Sequence, residues 1–235
     1  MQDYKIHCDA SGGGVMEATA IEERPILFSA PMVRAILDGR KTQTRRVIKA
    51  SATAGYSDKP SPASGRLVCK DGGAWDDNSR NTEPIAKCPY GKTGDRLWVR
   101  ETGAFKCKTA PIYRADLSDE EASLWKFSPS IHMPRWASRI DLEITDIRVE
   151  RVQDISAEDA IAEGIESEHQ WDGKPPFAHD MGMWYRDYSK KEDVKINDPV
   201  YSFQTLWDSL NAKRGFGWSM NPWVWVVEFK KLEAG

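Results

Sequence analysis

The segment from 38 to 46, "DGRKTQTRR", places a cluster of cations beside two threonines. Cationic side chains of this kind hold the phosphates of nucleic acids, because they donate charge-assisted hydrogen bonds to anionic oxygens. The same composition is also typical of a solvated strand edge, where lysine and arginine prevent pairing with another chain. The wider window from 34 to 49 carries one acid, Asp38, and these cations: Arg34, Arg40, Lys41, Arg45, Arg46 and Lys49.

The charge of the whole chain argues against a protein that coats nucleic acids without sequence preference. Its 235 residues carry a formal net charge of -3 and an isoelectric point of about 5.9. Contact with a polyanion must therefore be local. The length fits one ordered domain with insertions.

The four cysteines form no closely spaced pair. Cys69, Cys88 and Cys107 could bind zinc together with His132, but structural zinc sites usually draw their ligands from tight pairs. We therefore predict reduced cysteines, no metal and no cofactor. Neither a secretory signal nor an apolar run of the ~20 residues needed to span a membrane is visible, so we expect a cytoplasmic protein without a membrane partner.

Hydrophobic periodicity places the basic segment between a helix and a strand. The pattern predicts a helix over 31–39 that ends at Gly39, followed by a strand over 41–48. A phase shift between Ile144 and Ile147 predicts a bulge or a bend in another strand. The other predicted elements are strands at 25–29, 90–102, 139–152 and 223–232 and helices at 156–164 and about 200–212.

Three segments lack this periodicity. Residues 1–23 contain "SGGG" and predict a flexible N-terminal tail. The segment at about 50–90 is poor in large apolar residues, and the segment 166–199 is polar and rich in Gly and Pro, so they predict two long loop insertions. The remainder predicts a single α+β domain over 24–235, built as a small mixed barrel.

Four segments together resemble the ASCH domain, a member of the PUA-like superfamily. They are "GRKTQTRR" after a short helix, "TGDRLWV" in a hairpin, "ISAEDAIAEG" after a long strand and the terminal "WVVEFKKL". With "IHMPRWASRI" at 131–140, the chain is similar to the longer ASCH proteins of phages and prophages. The resemblance covers 25–232 and implies a PUA-like small β-barrel flanked by helices, with a cleft for RNA or a nucleobase.

The smallest ASCH proteins include amidohydrolases that remove the acetyl group from the exocyclic amine of acetylcytidine. The resemblance assigns their catalytic trio to Lys41, Thr44 and Glu163. In one version Thr44 is the nucleophile, Lys41 its base and Glu163 the proton carrier; in another Glu163 activates water and Lys41 stabilises the oxyanion. Residues 41 and 44 of a regular strand point to opposite faces, so convergence requires Lys41 to lie in the turn after Gly39.

Further side chains are candidates for substrate binding. Cations near the trio would hold phosphates or lower the pKa of Lys41, and tryptophans would stack on bases. Ten tryptophans are present, so several must also belong to the core. The substrate-binding candidates are Arg40, Thr42, Arg45, Arg46, Trp98, Glu101, Arg135 and Trp136.

Three hypotheses of function remain open from the sequence. The leading one is an amidohydrolase that deacylates a cytidine-type modified nucleoside. The alternative is a non-catalytic module that binds RNA or modified nucleic acid, in which the same cations hold phosphates. The third is an accessory phage protein with a vestigial cleft. The expected partner is accordingly a nucleoside or RNA.

Overall fold

The computed structural model describes residues 21–48, 67–70, 73–76, 86–169, 183–190, 192 and 194–233. Most of the predicted N-terminal tail lies outside these residues, as do parts of both predicted insertions. The helices are α1 (Ala30–Leu37), α2 (Asp119–Ser123), α3 (Ala157–Ala162) and α4 (Pro199–Asn211). Short 3-10 turns occur at Arg114–Asp116, Ser130–His132, Arg135–Ala137, Val152–Asp154, Ala212–Arg214 and Trp218–Met220.

The strands fall into one large sheet and three small ones. The strands are β1 (Glu23–Leu27), β2 (Gln43–Val47), β3 (Leu67–Lys70), β4 (Gly73–Asp76), β5 (Ala86–Lys87), β6 (Arg96–Arg100), β7 (Gly103–Ala104), β8 (Ile112–Tyr113), β9 (Asp141–Arg151), β10 (Ser167–His169), β11 (Met183–Arg186), β12 (Lys195–Ile196) and β13 (Trp223–Lys231). The large sheet has the order β1-β6-β9-β13-β2, in which β1 pairs with β6 in parallel and the other neighbours are antiparallel.

This arrangement confirms a mixed α+β fold. Within the described residues, the edge strands β1 and β2 do not pair with each other, so backbone hydrogen bonds do not close the sheet into a barrel. Side chains nevertheless join the two edges. The guanidinium of Arg46 in β2 donates to the carbonyl oxygen of Leu27 in β1 at 2.8 Å, and Phe28 packs against Phe229 of β13 with ring centroids 6.1 Å apart.

The prediction that both insertions are loops is wrong in part. The segment near 50–90 contains the antiparallel sheet β3-β4-β5, and the segment 166–199 contains β10-β11-β12. Tyr185 of β11 is buried, and Ser202 of α4 donates to the carbonyl oxygen of Arg186 at 2.7 Å. These strands have only two to four residues each, which is too short for periodicity to reveal among turn-forming residues.

Strand β13 is buried on both faces, so its alternating side chains enter two separate core clusters. One cluster also contains Val33 and Ile36 of α1, and the other contains Phe203 and Trp207 of α4. The first cluster receives Trp223, Trp225, Val227 and Phe229 from β13, and the second receives Val224 and Val226. The sheet is therefore the middle layer between α1 and α4.

The long strand β9 contains the predicted bulge. In its pairing with β13, Glu228 lies opposite Asp146 and Phe229 opposite Ile144, so Thr145 is the extra residue. Such an insertion increases the local twist of a strand. In the part of the chain that the structure describes, no helix has both the length and the apolar content needed to cross a membrane.

Trp225→Ala tests the central position of β13. Trp225 is 2% exposed, whereas Trp125 is 47% exposed. We expect Trp225→Ala to lower the free energy of unfolding by about 3–5 kcal/mol, because it leaves a cavity in the core. The matched Trp125→Ala change should stay within about 0.5 kcal/mol of wild type. Urea unfolding measures both, and equal losses would contradict the assigned core.

Candidate active site

The turn that carries Lys41 is held between the ends of two helices. Gly39 adopts φ +75°, which reverses the chain after α1. The backbone N–H groups of Arg40 and Lys41 both donate to the carbonyl oxygen of Ala35 at 2.9 Å, and that of Thr42 donates to Ala162 of α3 at 2.9 Å. Strand β2 begins only at 43. Lys41 therefore lies in the turn, which is the condition for convergence with Thr44.

The ammonium group of Lys41 contacts the C-terminal end of α3. Lys41 Nζ donates to the carbonyl oxygen of Glu163 at 2.7 Å and to its carboxylate Oε2 at 3.0 Å. A cation at a helix C-terminus is stabilised by the helix dipole, and here it also satisfies a terminal carbonyl group. Together with the bond from Thr42 to Ala162, this interaction joins two segments that are distant in the sequence.

The approach of the two segments depends on Gly164. Its φ is +80°, and a Cβ at this position would lie 2.8 Å from Cβ of Lys41 and 3.0 Å from Cβ of Ala35. Any larger residue would push the Lys41 turn away from α3. Gly164 thus has two roles, as the left-handed end of the helix and as the contact point for Lys41.

Arg45 holds the other side of the Glu163 carboxylate. Its side chain has no exposed surface, and its guanidinium contacts Glu163 at 3.3 Å, Glu150 at 3.1 Å and Asp159 at 2.7 Å. Asp159 belongs to the first turn of α3, where its N–H donates to the capping hydroxyl of Ser156 at 3.1 Å. The cation from β2 therefore fixes both ends of α3.

A second arginine extends this ion network across the sheet. Arg148 of β9 contacts Asp159 at 3.0 Å and also pairs with Glu150 and Glu228. Burial alone would raise the pKa of Asp159, but its hydrogen bond and charge interaction with Arg45, together with Arg148, lower that pKa overall. The network positions Arg45, which in turn holds Glu163.

Burial is the main cause of a lowered pKa at Lys41. Removal from water disfavours the ammonium form, so the pKa falls below its ordinary value of 10.5. Contact with Glu163 acts in the opposite direction, while the charges of Arg46 and Arg45 lower the pKa further. The sequence predicts that the neighbouring cations Arg40, Arg45 and Arg46 lower this pKa; Arg45 and Arg46 do so, and Arg40 is not among the causes.

A cleft with a volume of about 530 Å³ lies next to this cluster. It opens where the unpaired edges β1 and β2 approach each other, and one stripe of α4 covers it. Clefts of roughly 300–1,000 Å³ are typical of small-molecule sites. Its lining residues include Phe28, Ser29, Met32, Thr44, Arg45, Arg46, Tyr90, Thr102, Ser130, Glu163, Phe203, Leu206, Trp207, Leu210, Asn211 and Arg214.

The predicted trio has different positions relative to this cleft. Thr44 and Glu163 line its wall, whereas Lys41 lies behind Glu163, with no exposed side-chain surface. Lys41 Nζ also lies 5.7 Å from the centre of the Phe28 ring. Among the described residues, the Thr44 hydroxyl makes no hydrogen bond. It is thus available to a molecule in the cleft, whereas Lys41 contacts Glu163 and does not itself line the cleft.

Arg40 and Thr42 lie outside the cleft lining although they flank Lys41. Arg40 pairs with Asp38 at 3.1 Å near the surface and donates to the carbonyl oxygen of Ile165 at 3.5 Å. The side chain of Thr42 is exposed. Their contribution to binding stays a prediction, whereas Arg45 and Arg46 both reach the cleft.

Trp98 and Arg135 form a separate cluster that does not line the cleft. The guanidinium groups of Arg100 and Arg135 lie 5.3 and 5.7 Å from the centre of the Trp98 ring. Arg135 also pairs with Glu23 at 3.3 Å and with Asp141 at 3.0 Å. These contacts give both residues a structural role, and base stacking on Trp98 stays a prediction.

Trp136 and Glu101 also lie away from the cleft lining. Trp136 is half exposed beneath the ammonium of Lys108, 6.0 Å from the ring centre. Glu101 is buried and forms two hydrogen bonds with Arg139, at 2.9 and 3.0 Å. Burial raises the pKa of Glu101 despite this pairing. The neighbouring Thr102 does reach the cleft.

Sequence reasoning missed the aromatic wall of the cleft. Phe28 follows the first strand, Tyr90 precedes the hairpin, and both line the cavity. The apolar stripe of the last helix is visible as a pattern, but it predicts a core face equally well. In the structure the stripe belongs partly to the core and partly to the cleft, since Phe203 is buried while Leu210 is 48% exposed at the cleft.

No protein-family model, curated protein or solved structure matches this chain. Among the residues that the structure describes, no three His, Cys, Asp or Glu side chains are grouped to hold a metal ion. Cys69 lies in β3, and Cys8 lies outside the described residues. The cleft and its lining are therefore the features from which a function can be inferred.

Gly164→Ala tests the contact between Lys41 and α3. We expect it to lower the free energy of unfolding by about 1–3 kcal/mol more than Gly215→Ala, because only the first change creates an overlap. Gly215 has a similar φ of +82° but open space around it, so it is a control for backbone strain alone. Urea unfolding measures both variants, and equal losses would contradict the tight contact.

The pH dependence of stability tests the lowered pKa of Lys41. Between that native pKa and the ordinary 10.5, the unfolded chain binds a proton that the native protein lacks. The free energy of unfolding therefore rises with pH across this interval. We expect wild type to gain stability relative to Lys41→Met as pH is raised toward 10.5, measured by urea unfolding at a series of pH values. Parallel pH profiles would contradict a lowered pKa.

Proposed function

We propose that this chain is an ASCH-type amidohydrolase that removes an acyl group from the exocyclic amine of a cytidine-type base. The observation that carries the proposal is the presence of both Thr44 and Glu163 on the lining of the cleft, with buried Lys41 bonded to Glu163. These three residues come from two of the four segments that resemble the ASCH domain. A random surface patch does not bury a lysine completely.

The shape of the sheet supports a PUA-like fold within this proposal. Its edge strands β1 and β2 approach each other through Arg46 and Leu27, and the cleft lies in the gap. We propose that this curled sheet is the barrel of the superfamily, held at that gap by side chains. Ligands commonly bind in the mouths of such barrels.

The walls of the cleft fit a nucleobase. Aromatic side chains supply flat apolar surfaces on which a base can stack. Thr44, Glu163 and the hydroxyl groups of Ser29 and Thr102 supply polar contacts for its edge. The volume of about 530 Å³ is sufficient for a nucleoside.

Amide hydrolysis places the oxygen of water on the acyl carbon and a proton on the departing amine. We propose Glu163 as the proton acceptor, because it reaches the cleft while Lys41 does not. It takes a proton from water or from the Thr44 hydroxyl and passes it to the amine. Lys41 and Arg45 position the carboxylate through their hydrogen bonds to it.

The two routes differ in the role of Thr44. If Thr44 attacks, its oxygen forms an ester with the acyl group, and water then hydrolyses that ester to release the acid. If water attacks, Thr44 donates a hydrogen bond to the oxyanion. Mass spectrometry of the protein quenched during turnover separates them, because only the first route leaves an acyl group on the peptide that contains Thr44.

A non-catalytic nucleic-acid module is the second candidate. It is favoured by the complete burial of Lys41 and by the two cations already bonded to Glu163, features that a purely structural ion network also has. In that case Arg46 would hold a phosphate and the aromatic wall would hold a base. The affinity of RNA for such a surface falls steeply with salt, whereas that of an uncharged nucleoside does not.

Glu163→Gln tests the proposed reaction. With acetylcytidine as the substrate, we expect wild type to release cytidine and Glu163→Gln to lose at least about a hundredfold in kcat, since general acid–base groups contribute roughly 10²–10⁴-fold. Chromatography of the products measures the rates. Thr44→Val should show a comparable loss, because both routes use its hydroxyl.

Thr145→Val is the matched control for Thr44→Val. Thr145 is an exposed threonine at the bulge of β9, outside the cleft lining. It should keep wild-type activity. Circular dichroism and thermal unfolding establish that each variant is folded. Full activity in a folded Glu163→Gln protein, or no product from wild type on any acylated cytidine, would contradict the proposed reaction.

A further inference from the structure

The cleft contains two positive charges that no carboxylate of the described residues neutralises. Three arginines line it, but Arg45 is surrounded by the carboxylates described above. Arg46 and Arg214 have no carboxylate partner in the described part of the chain. The one acid on the lining, Glu163, is already bonded to Arg45 and Lys41.

The two unpaired arginines come from different walls of the cleft. Arg46 extends from the edge strand β2, donates to Leu27 at 2.8 Å and lies 5.3 Å from the centre of the Phe28 ring. Arg214 ends the 3-10 turn that follows α4. The cleft lining therefore receives one arginine from the sheet and one from the segment after α4.

Neither arginine has a function in recognising an uncharged nucleoside. Two like charges on the lining of one cleft repel each other. An anion between them removes that penalty. Arginine is the side chain best suited to phosphate, since its planar donors match the phosphate oxygens. Ser29 and Ser130 also line the cavity, and Ser29 makes no capping hydrogen bond with α1.

We infer that the molecule deacylated in this cleft is a phosphorylated nucleoside, with its phosphate held between Arg46 and Arg214 and its acylated base at Thr44 and Glu163. The inference rests on the proposed function and names its substrate class. Such a substrate differs from RNA because it needs only one phosphate, which the two arginines are sufficient to bind. Because the chain as a whole has a net charge of -3, an anion must be attracted by a local cluster of cations, and this cleft contains one.

The test compares acetylcytidine with its 5′-monophosphate and its 3′-monophosphate as substrates. We expect one monophosphate to exceed the nucleoside by about tenfold or more in kcat/KM, because hydrogen bonds to charged groups are among the strong ones. Which isomer is preferred gives the position of the phosphate. Arg46→Gln and Arg214→Gln should each reduce that preference by about tenfold.

Lys213→Gln is the matched control, because it removes the same charge from the exposed neighbour of Arg214 without touching the cleft lining. It should keep the full preference for the monophosphate. Arg214 is itself exposed, so Arg214→Gln remains informative even if Arg46→Gln does not fold. Equal kcat/KM for nucleoside and both monophosphates would overturn the inference while leaving the proposed deacylation intact.

Calorimetric binding of cytidine and its two monophosphates tests the phosphate site independently of turnover. We expect a monophosphate to bind about tenfold or more tightly than cytidine, with the difference reduced in Arg214→Gln and kept in Lys213→Gln. If no acylated compound is hydrolysed but this pattern holds, the proposed reaction fails and the phosphate site stands. If cytidine binds as tightly as both monophosphates, the phosphate site fails.

Discussion

The contact between buried Lys41 and Glu163 is the constraint on which the rest of the site depends. A lysine without exposed surface is costly unless its ammonium finds close acceptors, and here one residue supplies both of them. Those acceptors are at the end of α3, so the helix must stop there and the chain must pass within contact distance. Gly164 permits that approach, and the Gly39 turn points Lys41 toward it.

The incomplete closure of the sheet leaves an open cleft next to this contact. If β1 and β2 paired through their backbones, no gap would remain between these two edges beside Glu163. Instead Arg46 links the two edges through a side chain, and α4 covers the remaining gap with an apolar stripe. The ion network through Arg45 and Arg148 keeps Glu163 at the edge of this gap. Rigidity on one wall and open volume beside it are what a positioned carboxylate requires.

Local signals made much of the scaffold predictable from sequence. Ser156 caps α3 as its type and position indicate, and the phase shift near Ile144 marks a real bulge. The α+β class also follows from the order of elements. The strands of the insertions were not predictable, because they are short and one of them depends on burial of Tyr185 under distant residues. Long-range contacts likewise determine that Arg45 pairs with carboxylates while Arg46, within the described residues, does not, although both have the same side chain.

A crystal structure of Glu163→Gln with acetylcytidine tests the central claim most directly, because the substitution is expected to slow turnover while keeping the shape of the cleft. We predict that the base lies between the aromatic wall and β2. Its acylated amine should be within hydrogen-bond distance of the substituted side chain at position 163, and its acyl carbonyl oxygen should be close to the Thr44 hydroxyl. A base bound elsewhere on the protein, or an acyl group directed away from Thr44 into solvent, would contradict the claim.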